Sequence, residues 1–222
     1  MSIRIREAAK VTKRYDRVSA FILCGGASSR MGSPKGLLEI GGQPLIIRSA
    51  RLLRPLVSDV TVVGSPGSYA LLGLRVIADQ RFSSSGRDKE TLGPLAGIAT
   101  ALASTQMDWN LILACDLPYV SAEWLDWLLA RAMVSKAQIL MPRTARGIEP
   151  LAAVYRRECA EPIAAALRGG IRKVSDAVEQ FRIEFPTEQE WRHIDPDGRV
   201  LRNVNAPEDY EEARRWWEAH FP

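Results

Sequence analysis

Histidine is nearly absent from this chain, with only His193 and His220 among 222 residues. Both sit in polar or terminal contexts and offer no base, so a histidine-driven nucleophilic relay is excluded. Cysteine is almost as scarce, and Cys24, Cys115 and Cys159 form an odd, unclustered set. That spacing excludes a disulfide framework and a thiolate metal site, and it fits a reducing cytoplasm. Without a histidine partner, Cys24 and Cys115 read as small buried apolar groups. No apolar run approaches a membrane span, and repeats, low-complexity tracts and linker-like stretches are missing too.

Charge of one sign is in excess only locally. The formal net charge is +4, and residues 1–17 supply all of it through Arg4, Arg6, Lys10, Lys13, Arg14 and Arg17 against Glu7 and Asp16. The body is therefore formally neutral, which excludes a basic nucleic-acid face. The tail lacks the apolar centre of a secretory signal, and its acids and few serines speak against an organelle-targeting peptide. The expected organisation is a flexible basic extension over 1–17 and one domain over 18–222.

What is present is concentrated in Val18 to Leu38, VSAFILCGGASSRMGSPKGLL. An apolar, β-branched run predicts a buried strand over Val18–Leu23. It empties into Gly25 and Gly26, followed by Arg30, Gly32 and Lys35. Glycines let the backbone turn its N–H groups toward an anion, and Arg30 and Lys35 add fixed positive charge. Ser33 and Pro34 separate Gly32 from Lys35, which departs from a P-loop, and G-x-G-x-x-G is not supplied. The remaining pattern is a strand, a glycine loop and paired cations, suited to a polyphosphate.

Downstream, the periodicity predicts a helix over 44–53, strands over 60–63 and 74–78, and a polar surface loop over 80–91. It then predicts a helix over 93–103, a strand over 110–114 and a helix capped by Ser121. Strands follow over 138–141 and 151–155, the latter antiparallel at a sheet edge. A helix over 160–167, a last strand over 200–204 and a terminal helix opened by Pro207 complete the pattern, while 181–192 is unassigned. Alternating strands and helices imply a three-layer α/β/α fold with a mainly parallel sheet.

In such sheets ligands sit beyond the carboxyl ends of the strands. The glycine loop, Asp79 and Asp116 all fall there. Asp116 closes the most apolar strand and suits Mg²⁺, which takes one or two carboxylates plus substrate phosphates. Asp79 reads equally as a turn residue. Asn205 reads either as the cap of the last helix or as a neutral metal or phosphate ligand. Trp216 and Trp217 read as core cover.

The segments LCGGASSRMGSPKGLLEIGGQPLI, GPLAGI, ACDLPYV, EPLAAVYRRECAEPIAAALRGGIRKV and NVNAPEDYEEA follow one another in an informative order. Together they resemble the molybdenum cofactor guanylyltransferases, within the wider nucleotidyltransferases, over about Ser19 to Ala213. The resemblance implies a Rossmann-like sheet with an antiparallel strand, of the nucleotide-diphospho-sugar transferase type. It implies transfer of GMP from GTP to the terminal phosphate of molybdopterin, in the cytoplasm and without nucleic acid or membrane. Molybdoenzymes or other cofactor-biosynthesis proteins are further implied partners.

Carried onto this chain, Leu23, Cys24, Gly25 and Gly26 would contact the nucleotide and Lys35 its phosphates. Asp79 would sit at the nucleotide, Asp116 would hold Mg²⁺, and Gly93 to Gly97 would wall the base. Arg30, Lys35 and Asp116 are thus the expected catalytic residues, and Asp116 with Asn205 the expected metal ligands. Arg172 and Lys173 are candidates for the pterin phosphate. Two departures stand out: Gly64 replaces the Asn that often ends the family's second strand, and the loop between Asp79 and Gly93 is long. A cytidylyltransferase, a sugar-phosphate nucleotidyltransferase and a silent nucleotide-binding adaptor are the rival readings.

Overall fold

A computed structural model describes residues 13–25, 34–80 and 93–221. Gly26, Arg30, Gly32 and most of the predicted 80–91 loop lie outside the described residues, as does the tail up to residue 12.

The first strand, β1 (Tyr15–Leu23), begins earlier than its apolar run and is buried from Val18 onward. A short hairpin of β2 (Glu39–Ile40) and β3 (Gln43–Pro44) leads into helix α1 (Leu45–Leu53). There follow β4 (Val57–Val63), a single turn α2 (Pro66–Tyr69), β5 (Arg75–Ile77), α3 (Gly93–Ala103) and β6 (Trp109–Ala114). Helix α4 (Ala122–Val134) starts where predicted, with the Ser121 hydroxyl accepting the Trp124 N–H at 3.2 Å. Then come β7 (Ile139–Leu140), the hairpin β8 (Arg143–Thr144) and β9 (Gly147–Ile148), and β10 (Ala152–Arg156). The chain continues through α5 (Ala160–Arg168), α6 (Val174–Val178), β11 (Ile183–Glu184) and α7 (Pro207–His220).

Seven strands form one sheet in the order β11-β7-β10-β6-β1-β4-β5. The pairs β1–β4, β1–β6 and β4–β5 are parallel, as is β11–β7, while β10 runs antiparallel to both β6 and β7. The sequence placed β10 at an edge; it lies inside the sheet, and β11 is the edge. Residues 152–155 are fully buried, which an edge position would not produce. The predicted strand over 200–204 is also absent: Val200 and Leu201 lie in a turn, and residues 202–204 run on as irregular chain tied to the end of β6 by the Val204 N–H donating to the Asp116 carbonyl. Within 181–192, β11 is followed by turns that bring Trp191 edge-on to Trp124 and Trp127.

Alternation along β1 divides the core into two layers. Ala20 and Ile22 join the cluster that holds Ile46 and Leu53 of α1 and Trp124 and Leu128 of α4. Phe21 and Leu23 join the opposite cluster with Leu95 and Ile98 of α3, Ile163 of α5 and Val178 of α6. A third cluster ties α7 to the β2–β3 hairpin through Ile40, Leu45, Tyr119, Val204, Ala213 and Trp217. Trp217 is buried, with the Arg48 guanidinium 4.3 Å above its ring, so it covers core as expected. None of the described helices is long and apolar enough to cross a membrane.

The chain moves outward from β1 to β4 and β5, then returns to β6 on the other side of β1. The strand order therefore reverses at β1, and a crevice opens at its carboxyl end.

Candidate active site

Leu23 pairs in register with Val63 on one side and Ala114 on the other, and Val63 with Ile77. The parallel strands thus end level, and the residues that follow form one rim. That rim opens into a cavity of about 730 Å³ lined by Leu23, Cys24, Gly25, Lys35, Asp79, Gly93, Gly97, Asp116 and Asn205, all singled out from the sequence. Gly64, beside the rim, is held small by crowding: a Cβ there would stand 3.2 Å from the Cys24 carbonyl oxygen.

At the centre the Lys35 ammonium donates to Asp116 Oδ2 at 2.9 Å and to Asn205 Oδ1 at 2.7 Å. These residues come from three distant places. Lys35 opens a 3₁₀ turn, Lys35–Leu37, seated by Gly36, where a Cβ would meet Tyr69 Cε1 at 3.3 Å and Cys24 Sγ at 3.4 Å. Asp116 follows β6. Asn205 precedes α7, and the adjoining Val204 N–H donates to the Asp116 carbonyl at 2.9 Å. The capping alternative for Asn205 is overturned. Asp209 instead accepts the Asn205 and Ala206 N–H groups at 2.9 Å each, and these bonds hold its carboxyl below the usual range. Freed from capping, the Asn205 amide oxygen faces the same cation as Asp116. Among the described residues no three His, Cys, Asp or Glu side chains gather as a self-sufficient metal cage.

On the β4–β5 side, Asp79 keeps solvent contact while its carboxylate is wedged between two glycines. A Cβ on Gly25 would stand 3.3 Å from Asp79 Oδ2, and one on Gly97 3.7 Å from Oδ1 and 3.1 Å from a Leu23 methyl. Gly97 is what lets α3 come this close. The Gln80 N–H donates to Thr100 Oγ1 of α3 at 2.9 Å, which pins the residue after Asp79. Desolvation raises the pKa of the Asp79 carboxyl. Burial, and next its contact with Cys115, push the Cys24 thiol far up, so it stays protonated and is no nucleophile.

The opposite wall was not resolved by sequence. Glu149, Pro150, Leu151 and Leu117 line it, with Leu201 and Asn203 of the turn segment. Only Glu149 carries a charge there, and its sole signal was a place at the head of the EPLAAVY block. Arg172, by contrast, donates to the Leu167 and Ile171 carbonyls at the end of α5, and neither it nor Lys173 lines the cavity.

The MobA-like NTP transferase domain matches residues 20–182. A probable molybdenum cofactor guanylyltransferase from Pelotomaculum thermopropionicum is 34% identical over 89% of this chain and 92% of its own length. A molybdenum cofactor guanylyltransferase from Syntrophotalea carbinolica is 31% identical over 89% of this chain and 90% of its own. Among solved structures, molybdopterin-guanine dinucleotide biosynthesis protein A from Archaeoglobus fulgidus superposes with a TM-score of 0.76 at 24% identity, covering 90% of this chain and 99% of that one. The fold is that of the nucleotide-diphospho-sugar transferase type, and the chain is a nucleotidyltransferase that belongs to the MobA-like NTP transferase family.

Proposed function

We propose that this protein transfers GMP from GTP to the terminal phosphate of molybdopterin, releasing pyrophosphate and forming the guanine dinucleotide cofactor. The carrying observation is the Lys35 ammonium held by Asp116 and Asn205 in the cavity that both walls line. GTP lies along the Leu23–Gly25, Asp79 and Gly93–Gly97 wall, and the acceptor along the Glu149–Leu151 and Leu201–Asn203 wall. The two phosphates then meet at the centre.

An acceptor phosphate oxygen attacks the α-phosphorus in line, the bond to the β-phosphate bridging oxygen breaks, and that oxygen leaves on pyrophosphate. The nucleophile is already an anion, so no side chain has to remove a proton. Lys35 lies where charge develops and neutralises it. Backbone N–H groups of the glycine loop orient the nucleotide, and Arg30, outside the described residues, supplies a second cation.

The donor set fits Mg²⁺: a carboxylate and an amide oxygen, both hard ligands, already converge on one positive charge, and Mg²⁺ draws further ligands from phosphates and water. Asp116 and Asn205 would hold it, with Lys35 released toward the phosphates. Bound there, the ion would neutralise phosphate charge and polarise the phosphoryl group.

Pyrophosphate release from GTP and from CTP, each with Mg²⁺ and with or without molybdenum-loaded molybdopterin, tests this. Release from GTP alone, dependent on the pterin, is the expected result. Release from CTP instead would move the base preference, and release from neither would refute the assignment.

A further inference from the structure

We propose that Glu149 reads the acceptor, using its carboxylate to accept the paired N–H donors on the pyrimidinone edge of the pterin ring. This rests on the reading above that the acceptor is molybdopterin.

The placement follows from the sheet. In the β10–β6 pairing Ala152 faces Leu113, and the Ala114 N–H donates to the Leu151 carbonyl at 2.7 Å. Beyond that pairing the chain turns, with the Ala152 N–H donating to the Glu149 carbonyl at 3.1 Å, and Glu149 lines the same cavity as Asp116. Its carboxylate is engaged elsewhere. Oε1 accepts from Thr144 Oγ1 at 3.0 Å and from the Arg146 guanidinium at 3.4 Å, both on the β8–β9 hairpin. Arg146 also donates to the Leu201 carbonyl at 2.7 Å, which ties the hairpin to the turn segment of the same wall. Among the described residues no hydrogen bond reaches Oε2. The carboxylate of this cavity-lining residue is therefore held in place by one oxygen while the other keeps its accepting capacity.

A carboxylate repels phosphate, so this end of the cavity suits neither the triphosphate nor the acceptor's own phosphate. It suits the far end of the acceptor, provided that end is neutral and rich in donors. The 2-amino group and N3–H of a pterin are such a pair, spaced for a carboxylate, and the flat ring would lie against Pro150, Leu151 and Leu201. Charge-assisted hydrogen bonds of this kind carry recognition because an analogue lacking them leaves the acceptor unpaired.

The test uses the full chain with Glu149→Gln and Glu149→Ala, reading KM for molybdopterin and KM for GTP separately. Loss of a charge-assisted pair should raise the molybdopterin KM roughly tenfold to a hundredfold while the GTP KM holds. In parallel, free pterin is titrated against each protein by its own fluorescence, which needs no turnover; weaker binding to both variants is expected. Unchanged molybdopterin KM and unchanged pterin binding would overturn the inference and leave the guanylyl-transfer reading standing. Equal rises in both KM values with a lower Tm would reduce Glu149 to a scaffold residue. A raised Mg²⁺ requirement with unchanged pterin binding would make it a metal ligand, again overturning the inference. A wild-type protein that binds pterin through Glu149 yet never consumes GTP would refute the reading and keep the inference.

Discussion

The two walls of the cavity are built by different means. The wall proposed for the nucleotide comes from level ends of parallel strands and from a helix brought close by Gly97, all within the regular α/β pattern. The wall proposed for the acceptor comes from an antiparallel strand, a two-residue-per-strand hairpin and the irregular segment before α7. Side-chain to backbone ties hold it, such as Arg146 on the Leu201 carbonyl. Parallel strands and crossover helices leave fixed periodicities in the sequence, whereas a wall of turns leaves none. One fold can thus keep its nucleotide end constant and vary its acceptor end with little cost to the core.

Breaking the junction between the walls should have the largest effect. Asp116→Ala is expected to lower kcat by about 10²–10³-fold with the protein still folded, and Lys35→Ala to fall in the same range. Pyrophosphate release beside a thermal melt checks this, and undiminished turnover in either variant removes that residue from the centre. Asn205→Ala comes next. Losing one oxygen donor should cost roughly tenfold in rate and raise the Mg²⁺ requirement, leaving Tm unchanged because Asn205 caps nothing. Asp209→Ala sharpens the contrast, since it strips the true cap and should cost about 1 kcal/mol in stability, seen as a lower Tm. If Asn205→Ala melts early and Asp209→Ala does not, the two assignments are reversed.

Gly97→Ala should disturb only the nucleotide wall. The added methyl would sit 3.1 Å from Leu23 Cδ1, so that side chain must yield. The expected outcome is a few-fold rise in the GTP KM with the molybdopterin KM unmoved, and equal movement of both would show that the walls are coupled. The smallest effect concerns pH. Because Asp79's folded pKa is raised by desolvation, its contribution to stability is present at pH below the unfolded value and is lost as pH climbs through the folded one. Asp79→Asn should flatten that decline in Tm across the acid range, and a slope identical to the parent's would show that burial does not govern this carboxyl.

These contrasts also show what could be read from residues alone. The strand over Val18–Leu23, the helix behind Gly93 and the capped helix after Ser121 were legible because hydrophobic period and cap chemistry are local signals. Lys35 and Asp116 were legible because each closes or follows a strong element. Asn205 was ambiguous for a physical reason: an Asn before a helix caps it unless another acceptor does so first, and Asp209 does. The antiparallel strand was recognised but misplaced, since the strands outside it, β7 and β11, are two residues each and carry almost no periodicity of their own. Glu149 stood in plain view, yet its tie to Thr144 and Arg146 depends on a hairpin that no run of apolar residues announces.

Lys35 and Asn205 are 170 positions apart in the chain, and their contact closes the centre. During synthesis strands β1, β4, β5 and β6 and the α3-side cluster can form before residue 205 leaves the ribosome, whereas the α1–α4 cluster also takes in Val200 and Leu201. Until then the site lacks one oxygen donor and the Val204 bond to Asp116 that steadies the other. The centre is thus completed only when the segment leading into α7, nearly the last of the chain to be made, is in place.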